Sequence, residues 1–241
     1  VSAVATIDAN AEIETSVSFT GTTTCGEVSI DVQVNGVSAG AGEWTALSGL
    51  FLSASDVSTT YTTQTFGNTI TLTWTSSDGA CTGETTAMNV EFNQPATSTI
   101  DSYGMDTESW VWGGLTNDDW SEASNWYAYT TDLNNNSYWE RQTVNVPSAN
   151  DKVYIMANSA AGQCVSSSNS VIVTSGASVT DIMVANNATF NLSGATSIKG
   201  DLTNDGTINA SSSTLIFDGT SDQTVSGNAL TLDNLTVNKT S

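Results

Sequence analysis

Carboxylates, tryptophans and cysteines are the side chains of this sequence whose types and spacing could support chemistry. The chain of 241 residues carries 25 Asp and Glu, four Lys and Arg and no His, for a net charge of −21. The first 140 residues contain no Lys or Arg, and Arg141 is the first positive side chain. Without histidine, Ser-His-Asp triads, imidazole acid/base catalysis and histidine metal ligation are excluded. Carboxylate-pair and calcium-assisted chemistry remain open.

The charge also restricts the partners. A polyanion would be repelled because few cations are present to neutralise its phosphates, so nucleic acid is not expected to bind. Anionic membrane surfaces are disfavoured for the same reason. No stretch approaches the ~20 apolar residues that span a bilayer, and we expect no membrane insertion. Neutral partners and multivalent cations are the ones that this composition favours.

The acids late in the chain could serve glycoside hydrolysis, which needs two carboxyl groups ~5–10 Å apart. They are spread singly along the sequence rather than in a paired run, a distribution that fits solvation of turns better than a shared substrate pocket. These acids are Asp181, Asp201, Asp205, Asp218, Asp222 and Asp233. We therefore predict that the chain is not an enzyme and has no catalytic residues.

An oxygen-rich turn at Asn117, Asp118 and Asp119 is a candidate calcium site, because Ca²⁺ takes six to eight oxygen ligands. The alternative is an ordinary solvated acidic turn, since neither an EF-hand loop nor a nonapeptide calcium repeat is present. Calcium is the one cofactor candidate, and otherwise no cofactor is expected.

Five of the seven tryptophans fall between residues 110 and 139. Trp112, Trp120 and Trp126, with acids and amides nearby, could stack on sugar rings and form a glycan contact. The alternative is that these rings form a core joining the segments on either side, because large rings bury much area from few residues.

The three cysteines are Cys25, Cys81 and Cys164. An odd number in a secreted chain indicates one disulfide and one remaining thiol. Cys25 and Cys81 fall in the same N-terminal segment, so we predict that they pair and that Cys164 is free. The alternative is three free thiols.

Hydrophobic alternation predicts an all-β protein in three segments. Residues 1–95 show about seven runs with period two, which favours an immunoglobulin-like β-sandwich with Trp74 in its core. Residues 96–157 form a Trp-rich connector. Residues 158–241 show short apolar runs separated by glycines without helical periodicity, which is typical of a parallel β-solenoid (β-helix). The runs 181–184 and 234–237 resemble equivalent strands. We expect the solenoid to continue beyond Ser241.

Two sequence patterns resemble a known family. The first pattern is similar to repeat modules of very large surface proteins of Bacteroidota. It consists of Gly42-Glu43-Trp44-Thr45, residues 69–75 (TITLTWT), Asp78-Gly79-Ala80-Cys81 and Met88-Asn89-Val90. These surface proteins include gliding-motility adhesins and other cargo of the type IX secretion system. Residues 110–114 (WVWGG), 119–121 (DWS), 124–126 (SNW) and 146–155 (VPSANDKVYI) resemble a header that precedes a β-solenoid in the same proteins.

The resemblance implies a structural and adhesive module of a large secreted cell-surface protein or filament, which extends and presents adhesive regions. It implies an extracellular, cell-surface location. Expected partners are neighbouring modules of the same chain, surface polysaccharide or other cell-surface proteins. The alternative function is a carbohydrate-binding module of a secreted polysaccharide-acting protein.

Overall fold

The protein is all-β, as the alternation predicts, and its contacts divide the chain into two compact units. The computed structural model describes residues 16–20, 25–26, 28–35, 41–63, 65–77, 83, 85–95, 104–132, 135–157, 164, 170–173 and 176–239. Unit 1 comprises residues 1–23 and 28–92, and unit 2 comprises residues 24–27 and 93–241. The predicted connector and solenoid therefore belong to one unit.

Unit 1 contains seven strands within the described residues, in two antiparallel sheets. The strands are β1 (Ser16–Thr20), β2 (Ser29–Asn35), β3 (Gly42–Thr45), β4 (Leu50–Phe51), β5 (Ser58–Thr62), β6 (Thr69–Ser76) and β7 (Thr85–Glu91). One sheet has the order β1-β2-β5-β4 and the other has the order β3-β6-β7.

Both sheets of unit 1 contribute to a single hydrophobic core. Every second residue of β2 is buried, as the period-two alternation predicts. Trp44 of β3 meets Trp74 of β6 edge to face, with ring centroids 5.4 Å apart. Trp44 also stacks on Phe51 of the other sheet at 5.7 Å. The prediction that Trp74 is a core aromatic is confirmed, because only 2% of its surface is exposed.

Unit 2 contains thirteen short strands within the described residues, and they include a parallel β-solenoid of about three turns. Its strands are β8 (Ser109–Trp112), β9 (Trp126–Thr131), β10 (Ser137–Arg141), β11 (Lys152–Ile155), β12 (Ser170–Val173), β13 (Ala177–Val179), β14 (Asp181–Val184), β15 (Thr189–Leu192), β16 (Ala195–Ile198), β17 (Leu202–Asn204), β18 (Thr207–Phe217), β19 (Val225–Gly227) and β20 (Thr231–Val237).

Each turn of the solenoid supplies one strand to each of three faces. The first turn is β11, β12 and β13, and the second is β14, β15 and β16. In the third turn, β17 is followed by the long strand β18, whose two halves pair with β15 and β16. β19 and β20 add a further layer on β17 and β18. The predicted β-solenoid is thus confirmed, although its first strand, β11, falls in the segment predicted as connector.

The core of the solenoid consists of columns of apolar side chains in register from one turn to the next. Val153, Ile182 and Leu202 form one such column, and all three are buried. A single turn of the solenoid could not bury its own hydrophobic side chains. Stacking on the neighbouring turns covers them.

The predicted equivalence of residues 181–184 and 234–237 is wrong. β14 stacks between β11 and β17, whereas the second half of β20 stacks on the second half of β18, on a different face. Similar apolar patterns occur on all three faces, and the turns between the strands decide which face each pattern occupies.

Position 219 requires glycine because two successive turns of the solenoid approach closely there. A Cβ on Gly219 would lie 1.7 Å from the carbonyl oxygen of Lys199 in the preceding turn, and that backbone atom cannot move independently. The close distance between the two turns therefore leaves no room for a side chain at residue 219.

The Trp-rich segment extends one face of the solenoid. β8 pairs in parallel with β11, and β9 and β10 follow as antiparallel strands, so that one sheet has the order β10-β9-β8-β11-β14-β17-β19. At β11 both faces of this sheet are covered, since Val153 belongs to the solenoid core and Tyr154 to a second core on the outside. Within the part of the chain that the structure describes, no helix has the length and apolar character needed to cross a membrane.

Candidate functional site: the tryptophan-rich cap of the solenoid

The tryptophans of residues 110–126 close the first turn of the solenoid. Trp126 lies between two other rings, with centroids 4.9 Å from Trp112 and 4.6 Å from Trp120, both edge to face. The Trp126 indole N–H donates to the carbonyl oxygen of Trp120 at 2.8 Å. Trp120 reaches Phe190 of β15 at 6.0 Å. These rings join the cap to the interior of the solenoid. They are therefore core residues, as the alternative to glycan stacking held, but the core is that of unit 2 alone.

The prediction that Trp112, Trp120 and Trp126 contact a glycan is not supported by their positions. Trp112 and Trp126 are completely buried and Trp120 is 6% exposed. An aromatic platform must present a ring face to solvent, and these rings present theirs to one another and to Phe190. Sequence composition gives the clustering of the rings but not the side of the sheet that they occupy.

The loop that follows β8 is organised around the buried side chain of Asn125, which the sequence reasoning missed. Its amide oxygen accepts from the backbone N–H groups of Thr116 (2.9 Å) and Asn117 (3.2 Å). Its amide nitrogen donates to the Asn117 side chain at 2.8 Å and to the Asp119 carbonyl at 3.0 Å. Its own carbonyl oxygen accepts from the Gly113 N–H at 2.6 Å. The Asn125 side-chain amide thus accepts two hydrogen bonds and donates two. Because a buried amide with all its bonds made tolerates little movement, it holds the loop in one conformation.

The same loop completes the edge of a solenoid strand. The N–H of Ile172 in β12 donates to the Asp118 carbonyl at 2.7 Å, and the N–H of Trp120 donates to the Ile172 carbonyl at 3.0 Å. These two bonds supply a parallel ladder partner to a strand edge that would otherwise leave its backbone groups unpaired. The loop therefore acts as a cap for the first turn.

The candidate calcium ligands are engaged by this loop. The side-chain oxygen of Asn117 accepts from the Asp119 N–H at 2.9 Å, in addition to the Asn125 amide. One carboxylate oxygen of Asp119 accepts from the N–H (3.0 Å) and the hydroxyl (2.9 Å) of Ser121. Among the described residues, no group of three or more His, Cys, Asp or Glu side chains converges where it could hold a metal ion. The oxygens of Asn117 and Asp119 are therefore used as acceptors of hydrogen bonds within the loop.

The predicted Cys25–Cys81 disulfide is wrong, because Cys25 is bonded to Cys164, and the prediction that Cys164 is free is wrong with it. Cys81 lies outside the described residues. The error came from assigning Cys25 to the N-terminal sandwich, whereas residues 24–27 belong to unit 2. The bond joins residues 139 positions apart, and the chain-entropy model gives about 5 kcal/mol for a ring of that size.

The disulfide lies in the outer core, where both cysteines are buried beside Tyr127, Trp139 and Tyr154. The hydroxyl of Tyr127 donates to the carbonyl oxygen of Cys164 at 3.1 Å. The disulfide and this hydrogen bond hold Cys164 itself against the outside of the sheet.

The chain segments on either side of unit 1 are fastened next to each other in unit 2. The Gly26 N–H donates to the Asn93 carbonyl at 2.8 Å, and the Arg141 N–H donates to the Gly26 carbonyl at 3.0 Å. The Gln94 side chain pairs with the backbone of Trp139 through bonds of 2.5 and 2.9 Å. Gly26 has φ +75°, and a Cβ there would lie 2.6 Å from the Tyr127 ring, so glycine is required.

An ion pair joins the segment before β8 to the first solenoid strand. The Lys152 ammonium donates to the Asp106 carboxylate. Burial raises the pKa of Asp106, but the bond from Lys152, the backbone donor of Glu108 and the positive charge outweigh it, so the pKa lies below its ordinary value of 3.8. The hydrogen bond to Asp106 raises the pKa of Lys152, against a smaller opposing effect of burial.

Two of the acids that are spread singly in the sequence lie on adjacent turns of the solenoid. A carboxylate oxygen of Asp181 accepts from the backbone N–H of Asp201 at 2.6 Å, and a carboxylate oxygen of Asp201 accepts from the N–H of Thr224 at 2.7 Å. They line a cavity of about 190 Å³ with Lys152 and Thr203. Each carboxylate thus bonds the backbone of the next turn.

Comparison of the chain with protein-family models, with curated proteins and with solved structures found no match. The class of protein is therefore defined by its own architecture, which is all-β and contains a parallel β-solenoid capped by a Trp-rich loop.

Proposed function

We propose that this chain is a structural and adhesive module of a large secreted cell-surface protein or filament, and that it extends and presents adhesive regions. The observation that carries the proposal is the stack of parallel solenoid turns, capped at one end by the Trp-rich loop and fastened by the Cys25–Cys164 disulfide. Each turn adds ~4.8 Å of length along the stack, so such a unit spans distance with few residues.

The disulfide supports an extracellular location. Disulfides persist in oxidising compartments and on cell surfaces, and they are rare in reducing ones. The net charge of −21 is compatible with the same setting, because self-repulsion keeps a surface protein soluble and directs it toward neutral partners. Neighbouring modules of the same chain, surface polysaccharide and other cell-surface proteins are the partners we propose.

The order of strands in unit 1 supports the finer assignment of an immunoglobulin-like sandwich. In chain order, the sheets β1-β2-β5-β4 and β3-β6-β7 correspond to the ABED and CFG sheets of the constant-type immunoglobulin fold. This fold serves as a spacer in many cell-surface proteins. The resemblance of residues 42–45, 69–75 and 78–81 to modules of Bacteroidota adhesins that use type IX secretion is consistent with it.

The positions of the acids and aromatics favour this function over its alternatives. The carboxylates of Asp181 and Asp201 bond the backbone of neighbouring turns, which is a structural use. Trp112 and Trp126 are buried, which disfavours a carbohydrate-binding module built on these rings. We therefore expect no turnover of pectin, alginate, chitin, peptides or esters.

The proposal is tested on intact cells that produce the parent protein. An antibody raised against this chain should label the cells without permeabilisation, and the same antibody should reduce their attachment to a surface. Brief treatment of intact cells with an added protease should remove the label. Labelling only after permeabilisation would contradict the proposal. Binding of the purified chain to a polysaccharide, measured by pull-down, would favour the carbohydrate-binding alternative.

A further inference from the structure

We propose that the Cys25–Cys164 disulfide is a covalent force bypass, which carries tension along the polypeptide past most of unit 1 and past the cap. The bond joins residues separated by 139 positions and closes them into a ring. Tension applied to the two ends of the chain passes from Cys25 through the sulfur atoms to Cys164. The residues between them cannot be drawn out while the bond is intact.

The ring contains most strands of unit 1, the cap strands and the first strand of the solenoid. Strands β2 to β7 lie inside it, and so do the cap strands β8 to β10 and the first solenoid strand β11. Among the strands of the described residues that precede β12, only β1 lies outside. Solenoid strands from β12 onward follow Cys164 and remain in the line of tension.

The hydrogen bonds around Cys25 have the arrangement that such a bypass needs. Gly26 pairs with Asn93 and with Arg141, so the points where the chain leaves and rejoins unit 2 are held side by side. The side chain of Gln94 holds the second of these points to Trp139. Both cysteines are buried, at 5% and 1% exposure, which shields the bond from thiols in solution.

This inference rests on the proposed function for its biological meaning, because only a protein that bears load needs a bypass. The ring keeps residues 25–164 at a fixed end-to-end length, so the strands inside it are not extended by tension. The solenoid strands from β12 onward bear the tension instead. The ring also retains unit 1 as part of the assembly if unit 1 unfolds.

The test is single-molecule force spectroscopy on the full chain, held at its two termini. The measured quantity is the contour length at complete extension, which does not depend on whether a variant folds. The oxidised protein should be shorter than Cys164→Ser by the length of the ring, roughly 500 Å for a separation of 139 residues. Cys25→Ser should give the same gain, and Cys81→Ser should have the length of the oxidised protein.

The outcomes separate this inference from the proposed function. Equal contour lengths for the oxidised protein and Cys164→Ser would overturn the bypass. A gain of roughly 200 Å in Cys81→Ser would also overturn it, because that gain would mean that Cys25 pairs with Cys81. Neither result depends on where the protein is located, whereas absence of surface labelling would overturn the proposed function and leave the measured ring intact.

Discussion

The carboxylate of Asp181 accepts a hydrogen bond from the backbone N–H of Asp201 at 2.6 Å, although the two residues belong to different turns of the solenoid. Asp201 repeats the arrangement with Thr224 of the next layer at 2.7 Å. Two negative side chains are thereby placed on neighbouring rungs, and each is used to hold the backbone of the rung that follows. Two side chains of like charge thereby each link one turn of the solenoid to the next.

Replacement of Asp181 should test this link. Asp181→Ala removes the acceptor of the Asp201 N–H and should lower the free energy of unfolding by about 1–2 kcal/mol. Asp181→Asn keeps an acceptor oxygen and should lie close to the wild type. Urea titrations followed by tryptophan fluorescence measure both. Exposed Asp233 provides the matched control, and an equal loss for Asp181→Ala and Asp233→Ala would contradict the link.

Asn125 should be among the most sensitive residues of the cap. Asn125→Ala leaves the Thr116 and Asn117 N–H groups without their buried acceptor and should cost about 2–4 kcal/mol. Asn125→Asp keeps that acceptor but places a carboxylate against the Asn117 and Asp119 oxygens, so it should also destabilise. Thermal unfolding by circular dichroism provides the measurement. Exposed Asn145→Ala should leave the melting temperature unchanged.

Two glycines of the solenoid should respond differently to a methyl group. Gly219→Ala would place a Cβ 1.7 Å from the Lys199 carbonyl, and we expect a loss of about 1–3 kcal/mol because the turns must separate. Gly176→Ala meets its nearest neighbour, the Ala195 carbonyl, at an ordinary contact distance of 3.4 Å. That variant should be near neutral in the same chemical denaturation experiment. Similar losses for the two would argue against close stacking at Gly219.

The Asp106–Lys152 pair should make stability depend on pH in acid. Since the pKa of Asp106 is lowered in the folded state, its contribution is present above 3.8 and is lost as the pH falls through the lower folded value. Asp106→Asn should reduce the acid dependence of the unfolding free energy. The effect should be a few tenths of a kcal/mol to about 1 kcal/mol, because the Asp106 side chain is 43% exposed.

A double-mutant cycle provides the control for this pair. Asp106→Asn should change the acid dependence less in a Lys152→Met background than in the wild type, since the main partner is already absent. At the alkaline end the sign is reversed. The pKa of Lys152 is raised, so its contribution is present below 10.5 and is lost as the pH rises through the higher folded value. Identical effects of Asp106→Asn in both backgrounds would show that the pair is not coupled.

Divalent cations should stabilise the protein. A net charge of −21 repels itself, and millimolar calcium or magnesium should raise the melting temperature more than sodium chloride at equal ionic strength. Differential scanning calorimetry with and without a chelator measures this. We expect Asp119→Asn to retain the response, because the Asp119 carboxylate is already bonded to Ser121. Identical melting in chelator and in calcium would contradict the prediction.

The sequence by itself determined the all-β class, the solenoid and the burial of Trp74, because each depends on local hydrophobic periodicity. It also placed five tryptophans in one segment. Such patterns depend on the alternation of neighbouring side chains, which a reader of the sequence can see directly.

Only the tertiary structure decided which distant residues meet. Cys25 pairs with Cys164 because four residues of the N-terminal segment belong to unit 2, a crossing that no local pattern marks. Asp181 and Asp201 become neighbours because one turn of the solenoid returns the chain to the same face. Asn125 becomes a buried hub because a loop folds over it. Contacts of this kind depend on the path of the chain in space, whereas periodicity depends only on neighbours in sequence.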